Sequence, residues 1–223
     1  MADRRLVLGL DTASLVTVGL ADDGRFLGGA VVEDRMAHVE QLMPTINRVL
    51  DDAGASVSDI GRIVVGLGPG PFTGLRVGVV SAQILALTTG AALHGICSLD
   101  AIAAQHAAES RPTEEFVVAA DARRRELYWA SYAPTGARVR GPEVGRPDDL
   151  PDLATIGPGV DIHPRLPAVP GPRRLDPAAL VRHGPGLPDL GTAPLYLRRP
   201  DAVEPTRRKS VLLRRPDRSG RAR

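Results

Sequence analysis

The most individual string in this 223-residue chain is Gly68-Pro69-Gly70-Pro71-Phe72-Thr73-Gly74. Glycines between a strand and a helix are what a phosphate-cradling loop needs, because backbone N–H groups must reach the ligand without side chains in the way. The spacing Gly68, Gly70, Gly74 misses Gly-x-Gly-x-x-Gly by one residue, and Pro69 and Pro71 remove two backbone donors. No Asp or Glu follows about 20 residues later to hold a ribose. A rigid turn that aims the next helix fits these residues better than a nucleotide loop. Asp11-Thr12-Ala13-Ser14 offers a strand-end carboxylate and two hydroxyls, which could grip a phosphate or form an ordinary turn. Thr12 and Ala13 stand where a wrapping glycine would be needed, so Asp11, Thr12 and Ser14 are expected to mark at most a vestigial nucleotide pocket.

Other candidates are weaker. His38, two residues before Glu40, could act in acid–base chemistry or bind a metal, but as readily serves at a helix start or an interface. Cys97 with His94 nearby faintly suggests a thiol nucleophile, yet no orienting acid follows at a recognisable spacing, and a buried structural cysteine is the default. The five histidines never form His-x-x-x-His or His-Glu-x-x-His, and Gly-x-Ser-x-Gly is absent. A single cysteine excludes an intrachain disulfide and a cysteine-based zinc cluster. Lys209 is the only lysine, so residues 1–208 contain no Walker A loop.

Charge divides the chain unevenly. Residues 198–223 carry ten basic and three acidic side chains, leaving 18 basic and 23 acidic in residues 1–197. Such a basic tail could touch nucleic acid, although a solvated, disordered terminus is the simpler expectation. Neither a secretory h-region in residues 1–11 nor a membrane segment is expected; the uncharged stretch after Arg76 is interrupted by Gln, Ser, Thr, Gly and His. A cytoplasmic protein is the resulting expectation.

The elements that must position these residues are legible in part. Apolar β-rich runs at 6–11, 16–21 and 26–32, with Asp22-Asp23-Gly24 between the last two, predict an antiparallel meander. Val39, Leu42, Met43, Ile46, Val49, Leu50 and Ala53 recur at helical spacing over 38–53, with Pro44 requiring a start near Leu42 or a bend. A buried strand at 63–67 precedes the glycine-rich turn, then a helix at 75–89, a strand at 92–96, and a helix capped by Ser98 through Ala108. A hairpin is expected over 116–120 and 126–132. Residues 134–188 hold 12 of the 20 prolines and should form only loops and short elements, with one helix opened by Asp176 and Pro177. The order implies an α/β fold of mixed sheets flanked by helices.

The helix after the glycine-rich turn has no charge beyond Arg76. Gly74, Gly78, Ala82, Ala86 and Gly90 step along one side by four, with Val79, Val80, Ile84, Leu85 and Leu87 on others. A helix apolar all round must be covered all round. The small-residue stripe could pack on the chain's own sheet, but a second polypeptide is the favoured cover for the outer side.

Taken together, Leu8-Gly9-Leu10-Asp11-Thr12, Ala37-His38-Val39-Glu40-Gln41-Leu42-Met43-Pro44, Gly66 through Gly78, and Ser98-Leu99-Asp100-Ala101 resemble the bacterial TsaB (YeaZ) family. Asp121 through Tyr128 and Pro194 through Ala202 extend the likeness weakly. The resemblance implies an actin-like ATPase (ASKHA) fold of two ribonuclease-H-like lobes, the second reduced: residues 1–108, a Pro-rich lobe at 109–197, and the tail 198–223. It implies a non-catalytic subunit of the complex that makes tRNA threonylcarbamoyladenosine. The expected partners are a TsaD-like catalytic subunit, a TsaE-like ATPase acting on the pair, and tRNA as substrate of the complex. A homodimer is possible when the chain is alone. No cofactor of its own is implied, ATP being used by the complex. Where the catalytic sister family has two metal-binding histidines, this chain has Ser98 and Ile102. Pairing through the helices near 38–53 and 74–90 puts His38, Gln41, Leu42, Thr45, Gly74, Gly78, Val79, Ala82, Gln83 and Ala86 at the expected interface. An ATP-binding phosphotransferase or ATPase of the same fold, and a glycoprotease-like peptidase, are the alternatives.

Overall fold

The computed structural model describes residues 6–33 and 38–198, apart from the side chains of His38 and Val39. The expected disorder of the basic tail falls outside the described residues beyond Arg198. Strands β1 (Leu6–Asp11), β2 (Val16–Asp22) and β3 (Arg25–Val32) form the predicted meander, closed by Asp23 and Gly24 at φ 45° and 78°. Both central residues of this two-residue turn are left-handed, which suits the twist of a hairpin. Helix α1 (His38–Asp52), β4 (Ile60–Gly66), α2 (Phe72–Thr89), β5 (Ala92–Ile96) and α3 (Ser98–Ser110) follow. The first sheet has the order β3-β2-β1-β4-β5, with β1, β4 and β5 parallel.

A second sheet contains β6 (Phe116–Asp121), β7 (Leu127–Tyr132), β8 (Arg138–Gly145) and β9 (Ala154–Ile156), in the order β8-β7-β6-β9. The last helix, α4 (Pro177–His183), is capped by Asp176, whose carboxylate accepts from the N–H groups of Ala178 and Ala179.

Three local details narrow or correct the expectations. Helix α1 starts at His38 and runs through Pro44, so the ladder bond that Pro44 cannot donate is given up. Burial of Leu42, Ile46, Val49 and Leu50 holds the helix nonetheless. Cys97, not Ser98, is the N-cap of α3, because the Ser98 hydroxyl is used elsewhere. The eight-residue β8 is not foreseen because Pro142 lies within it; the strand is on the sheet edge and its pairing with β7 is shifted between Trp129 and Ser131, where a proline is tolerated.

Packing in the first lobe follows strand alternation. Leu6, Leu8 and Leu10 of β1 face one core with Val16, Val18 and Leu20 of β2, and α1 and α2 cover it. The opposite face carries Gly9, Gly19 and Gly29, which lie side by side across β1, β2 and β3. A Cβ on Gly9 would stand 2.8 Å from Leu180 Cγ, and one on Gly29 would stand 2.5 Å from Pro177 Cβ. On Gly19 it would collide with the Pro177 carbonyl oxygen. The glycine row therefore lets α4 lie directly on the sheet. That helix belongs by sequence to the Pro-rich part but covers the first sheet.

Candidate functional site: a closed cleft and an exposed helical face

The cleft between the two sheets is where the strand-end Asp11 could meet a phosphate. The Asp11 carboxylate is instead consumed internally: Oδ1 accepts from Ala13 N–H at 2.9 Å and Oδ2 from the Ser98 hydroxyl at 2.5 Å. The Ser98 oxygen in turn accepts from Gly68 N–H at 3.1 Å. Burial pushes the Asp11 carboxyl up to about 6 from its ordinary 3.8, although the Ser98 and Ala13 hydrogen bonds oppose this. Thr12 is fully buried and donates its hydroxyl to the Gly74 carbonyl at 2.8 Å. A Cβ on Gly70 would stand 2.6 Å from the Ala13 carbonyl oxygen, so the glycine-rich turn is pressed onto the segment that would otherwise grip a phosphate. What remains among Asp11, Ser14, Ser98, Ile102 and Pro158 is a void of about 20 Å³. A water needs about that much, and a nucleotide far more.

The other sequence candidates disperse. The His94 ring meets the Leu187 carbonyl at 3.0 Å and Asp189 at 3.9 Å, so it does not serve Cys97. Burial pushes the Cys97 thiol up to about 12, with Asp100 adding to the effect. A thiol held so firmly protonated is a poor nucleophile. Asp100 accepts from the Tyr132 hydroxyl at 2.9 Å and lies 3.6 Å from Arg138 Nε, which ties α3 to the second sheet. Among the described residues, no group of three or more His, Cys, Asp and Glu could hold a metal ion. The side chain of His38 lies outside the described residues.

Helix α2 divides into two faces. Gly74, Leu75, Gly78, Val79, Ala82 and Leu85 are buried. A Cβ on Gly78 would collide with the Thr12 side chain, so the small-residue stripe faces the chain's own segment just after β1. Gly74, Gly78, Val79 and Ala82, expected at a partner interface, are buried within the chain itself. Leu42 and Thr45 of α1 are likewise buried, at 1% and 3% exposure, on the same stripe as Ile46 and Val49. Gln41 is exposed, Ala86 is half-buried, and half-buried Gln83 donates to the Thr192 carbonyl.

The outward side of α2 carries residues outside the expected interface set. Val80 is 47% exposed, Ile84 56% and Leu87 85%, and Met43 of α1 is 39% exposed. Positions 80, 84 and 87 form an i, i+4, i+7 stripe opposite the glycines, a spacing that is legible in the sequence. By length and composition α2 is the single helix among the described residues that could cross a membrane, yet its inner face is packed on the sheet.

Beside this face, residues 187–198 run back as a strap. Leu190 N–H donates to the Gly95 carbonyl on the β5 edge and Leu195 N–H to the Leu67 carbonyl. Arg76 Nε donates to the Tyr196 hydroxyl at 3.2 Å, with its guanidinium 3.8 Å over the Phe72 ring.

A three-layered first lobe with β3-β2-β1-β4-β5 topology, joined to a smaller sheet across a cleft, defines an actin-like ATPase fold. The chain matches residues 31–161 to a family model described as TsaD, tRNA N6-adenosine threonylcarbamoyltransferase. It is 42% identical over 204 residues to a Mycobacterium tuberculosis protein, covering 88% of this chain and 93% of that one. A Mycobacterium leprae relative is 42% identical over 210 residues, but the match spans only 56% of its length. The tRNA threonylcarbamoyladenosine biosynthesis protein TsaB of Escherichia coli is 35% identical over 127 residues, 56% of this chain and 54% of that protein. Among solved structures, YeaZ from Pseudomonas aeruginosa superposes with a TM-score of 0.69 at 26% identity, covering 82% of this chain and 91% of that one. The chain belongs to the TsaB/YeaZ family.

Proposed function

We propose that this chain is a non-catalytic subunit of the machinery that places threonylcarbamoyl on tRNA adenosine, and that it pairs with a TsaD-like catalytic subunit through the outer faces of α1 and α2. The observation that carries this reading is the pairing of a closed cleft with an uncovered apolar stripe. Asp11, Thr12 and Ser98 spend their polar groups on one another and on backbone, while Val80, Ile84 and Leu87 stand in water. Apolar side chains aligned on one exposed helical face are what a partner covers. Gln41 and Met43 on α1 are also exposed, and Ala86 on α2 is half-buried. In this reading, residues 1–108 hold the pairing surface, a TsaE-like ATPase acts on the pair in the cytoplasm, and the same face gives a homodimer when no partner is present.

Reconstitution tests the reading. A TsaD-like subunit and a TsaE-like ATPase, supplied with a threonylcarbamoyl donor and tRNA, should modify tRNA only when this chain is added. Modification at the same rate without it would overturn the proposal. The phosphotransferase alternative predicts tight ATP binding by the isolated chain in calorimetry; the void of about 20 Å³ beside Asp11 predicts none.

A further inference from the structure

The turn between β6 and β7 is built against the usual preference of backbone. Arg123, Arg124 and Arg125 stand consecutively at φ 63°, 55° and 64°, a left-handed conformation that glycine or asparagine would adopt at lower cost. Three arginines kept there point to a use for their side chains. The turn is closed by Glu126 N–H donating to the Arg123 carbonyl and by Arg123 N–H donating to Asp121. All three side chains are exposed.

Together with Arg146 and Arg165 they line an open cleft of about 810 Å³. Two carboxylates, Asp121 and Asp148, share the lining, so arginines exceed acids by three in a body where acids are otherwise in excess. Arg123 is paired loosely with Asp121 at 3.7 Å. Among the described residues no ion pair is found for the guanidinium groups of Arg125, Arg146 or Arg165.

A second, separate observation bears on the same place. The strap ends with Arg198 donating to the Ala122 carbonyl at 2.9 Å and pairing with Glu126, so residue 198 is fixed beside the arginine turn. Residues 198–223 carry ten basic and three acidic side chains. Five guanidinium groups spread around an opening of this size exceed what one small anion would engage and suit an extended polyanion.

We propose that this cleft binds the phosphodiester backbone of RNA, with Arg125, Arg146 and Arg165 contacting phosphates. Guanidinium groups form two-pronged hydrogen bonds to phosphate oxygens, and contacts of this kind position a nucleic acid without reading its sequence. The inference rests on the reading that the complex acts on tRNA, and adds that this subunit holds the tRNA itself.

The test is fluorescence anisotropy of the full chain with a labelled tRNA transcript between about 50 and 200 mM salt. Replacing Arg125, Arg146 and Arg165 together by Glu should weaken binding at least tenfold and lower the log–log salt slope by about 2. The matching Gln triple should give a smaller loss in the same direction, with circular dichroism unchanged in both. Poly-glutamate of equal charge should compete poorly. Wild-type affinity and slope in the triple variants would overturn the inference, as would loss of binding only on deletion of 199–223. Equal competition by poly-glutamate would also overturn it, in favour of an acidic protein. If the wild-type chain supports tRNA modification but binds no tRNA, this inference fails and the proposed function stands. Cleft-dependent tRNA binding without support of modification means the opposite: the inference stands and the proposed function fails.

Discussion

Replacing Ile84 by Glu and Gly78 by Leu separates the two faces of α2 in one experiment. Val80, Ile84 and Leu87 are 47%, 56% and 85% exposed. On ordinary residue areas that is roughly 350 Å² of surface, worth about 9 kcal/mol gross if a partner covers it, of which association consumes a large part. Ile84 supplies roughly 110 Å² of this, or about 3 kcal/mol, and a carboxylate left unpaired in the covered site costs roughly another 1–3 kcal/mol. The Ile84→Glu chain should therefore pair with a TsaD-like subunit about a thousandfold more weakly. Its own stability should change by less than about 0.5 kcal/mol, since the side chain stands in water in the free chain. Gly78→Leu should do the opposite at the level of the monomer. Its side chain meets Thr12, whose hydroxyl holds the Gly74 carbonyl, so unfolding free energy should fall by about 3 kcal/mol or more. Sedimentation of the mixed subunits reads the first effect, and urea unfolding of the isolated chain reads the second. Tight pairing by a natively stable Ile84→Glu chain would refute the assignment of the outer stripe. An undiminished unfolding free energy in Gly78→Leu would refute the inward placement of the glycines.

Other consequences follow from the core. Because burial raises Asp11 to about 6, the folded protein holds a proton that the unfolded chain releases near pH 4. Stability attached to this carboxyl is complete below the unfolded value and declines as pH rises through 6. Relative to Asp11→Asn, the wild type should lose about 3 kcal/mol between pH 4 and 7 in urea melts, and a constant difference across that range would count against the raised value. Gly19→Ala should cost about 1–3 kcal/mol in the same assay by lifting α4 off the sheet at Pro177; a neutral result would mean α4 does not rest on the glycine row. Native Cys97 should resist alkylation at pH 8 and react only once the chain unfolds, because its thiol is pushed up to about 12. Rapid modification of the folded chain would show it to be accessible.

Elements with a strong local signal are readable from the sequence: the meander with its Asp23-Gly24 turn, the strands flanking α2, and α4 behind Asp176 and Pro177. The edge strand β8 is not, because its proline is acceptable only at an edge with a shifted register, and which strand is an edge is decided by pairing between distant segments. The glycines of β1, β2 and β3 similarly give no hint of acting together. They become one row only through the register Gly9 to Gly19 to Gly29, and their purpose arrives with a helix some 150 residues further on.

For the site, composition alone showed that α2 is apolar on every side beyond Arg76 and that the Gly-Pro-Gly-Pro turn is poor in phosphate donors. Which face of α2 points outward was beyond it, since a helix apolar all round has no amphipathic period to orient it. Contact between Gly78 and Thr12 settled that question in three dimensions, turning the small residues inward and leaving Val80, Ile84 and Leu87 in solvent. The arginines at 123–125, 146 and 165 are likewise scattered in sequence, and only the folding of the second sheet gathers their charges around one cleft.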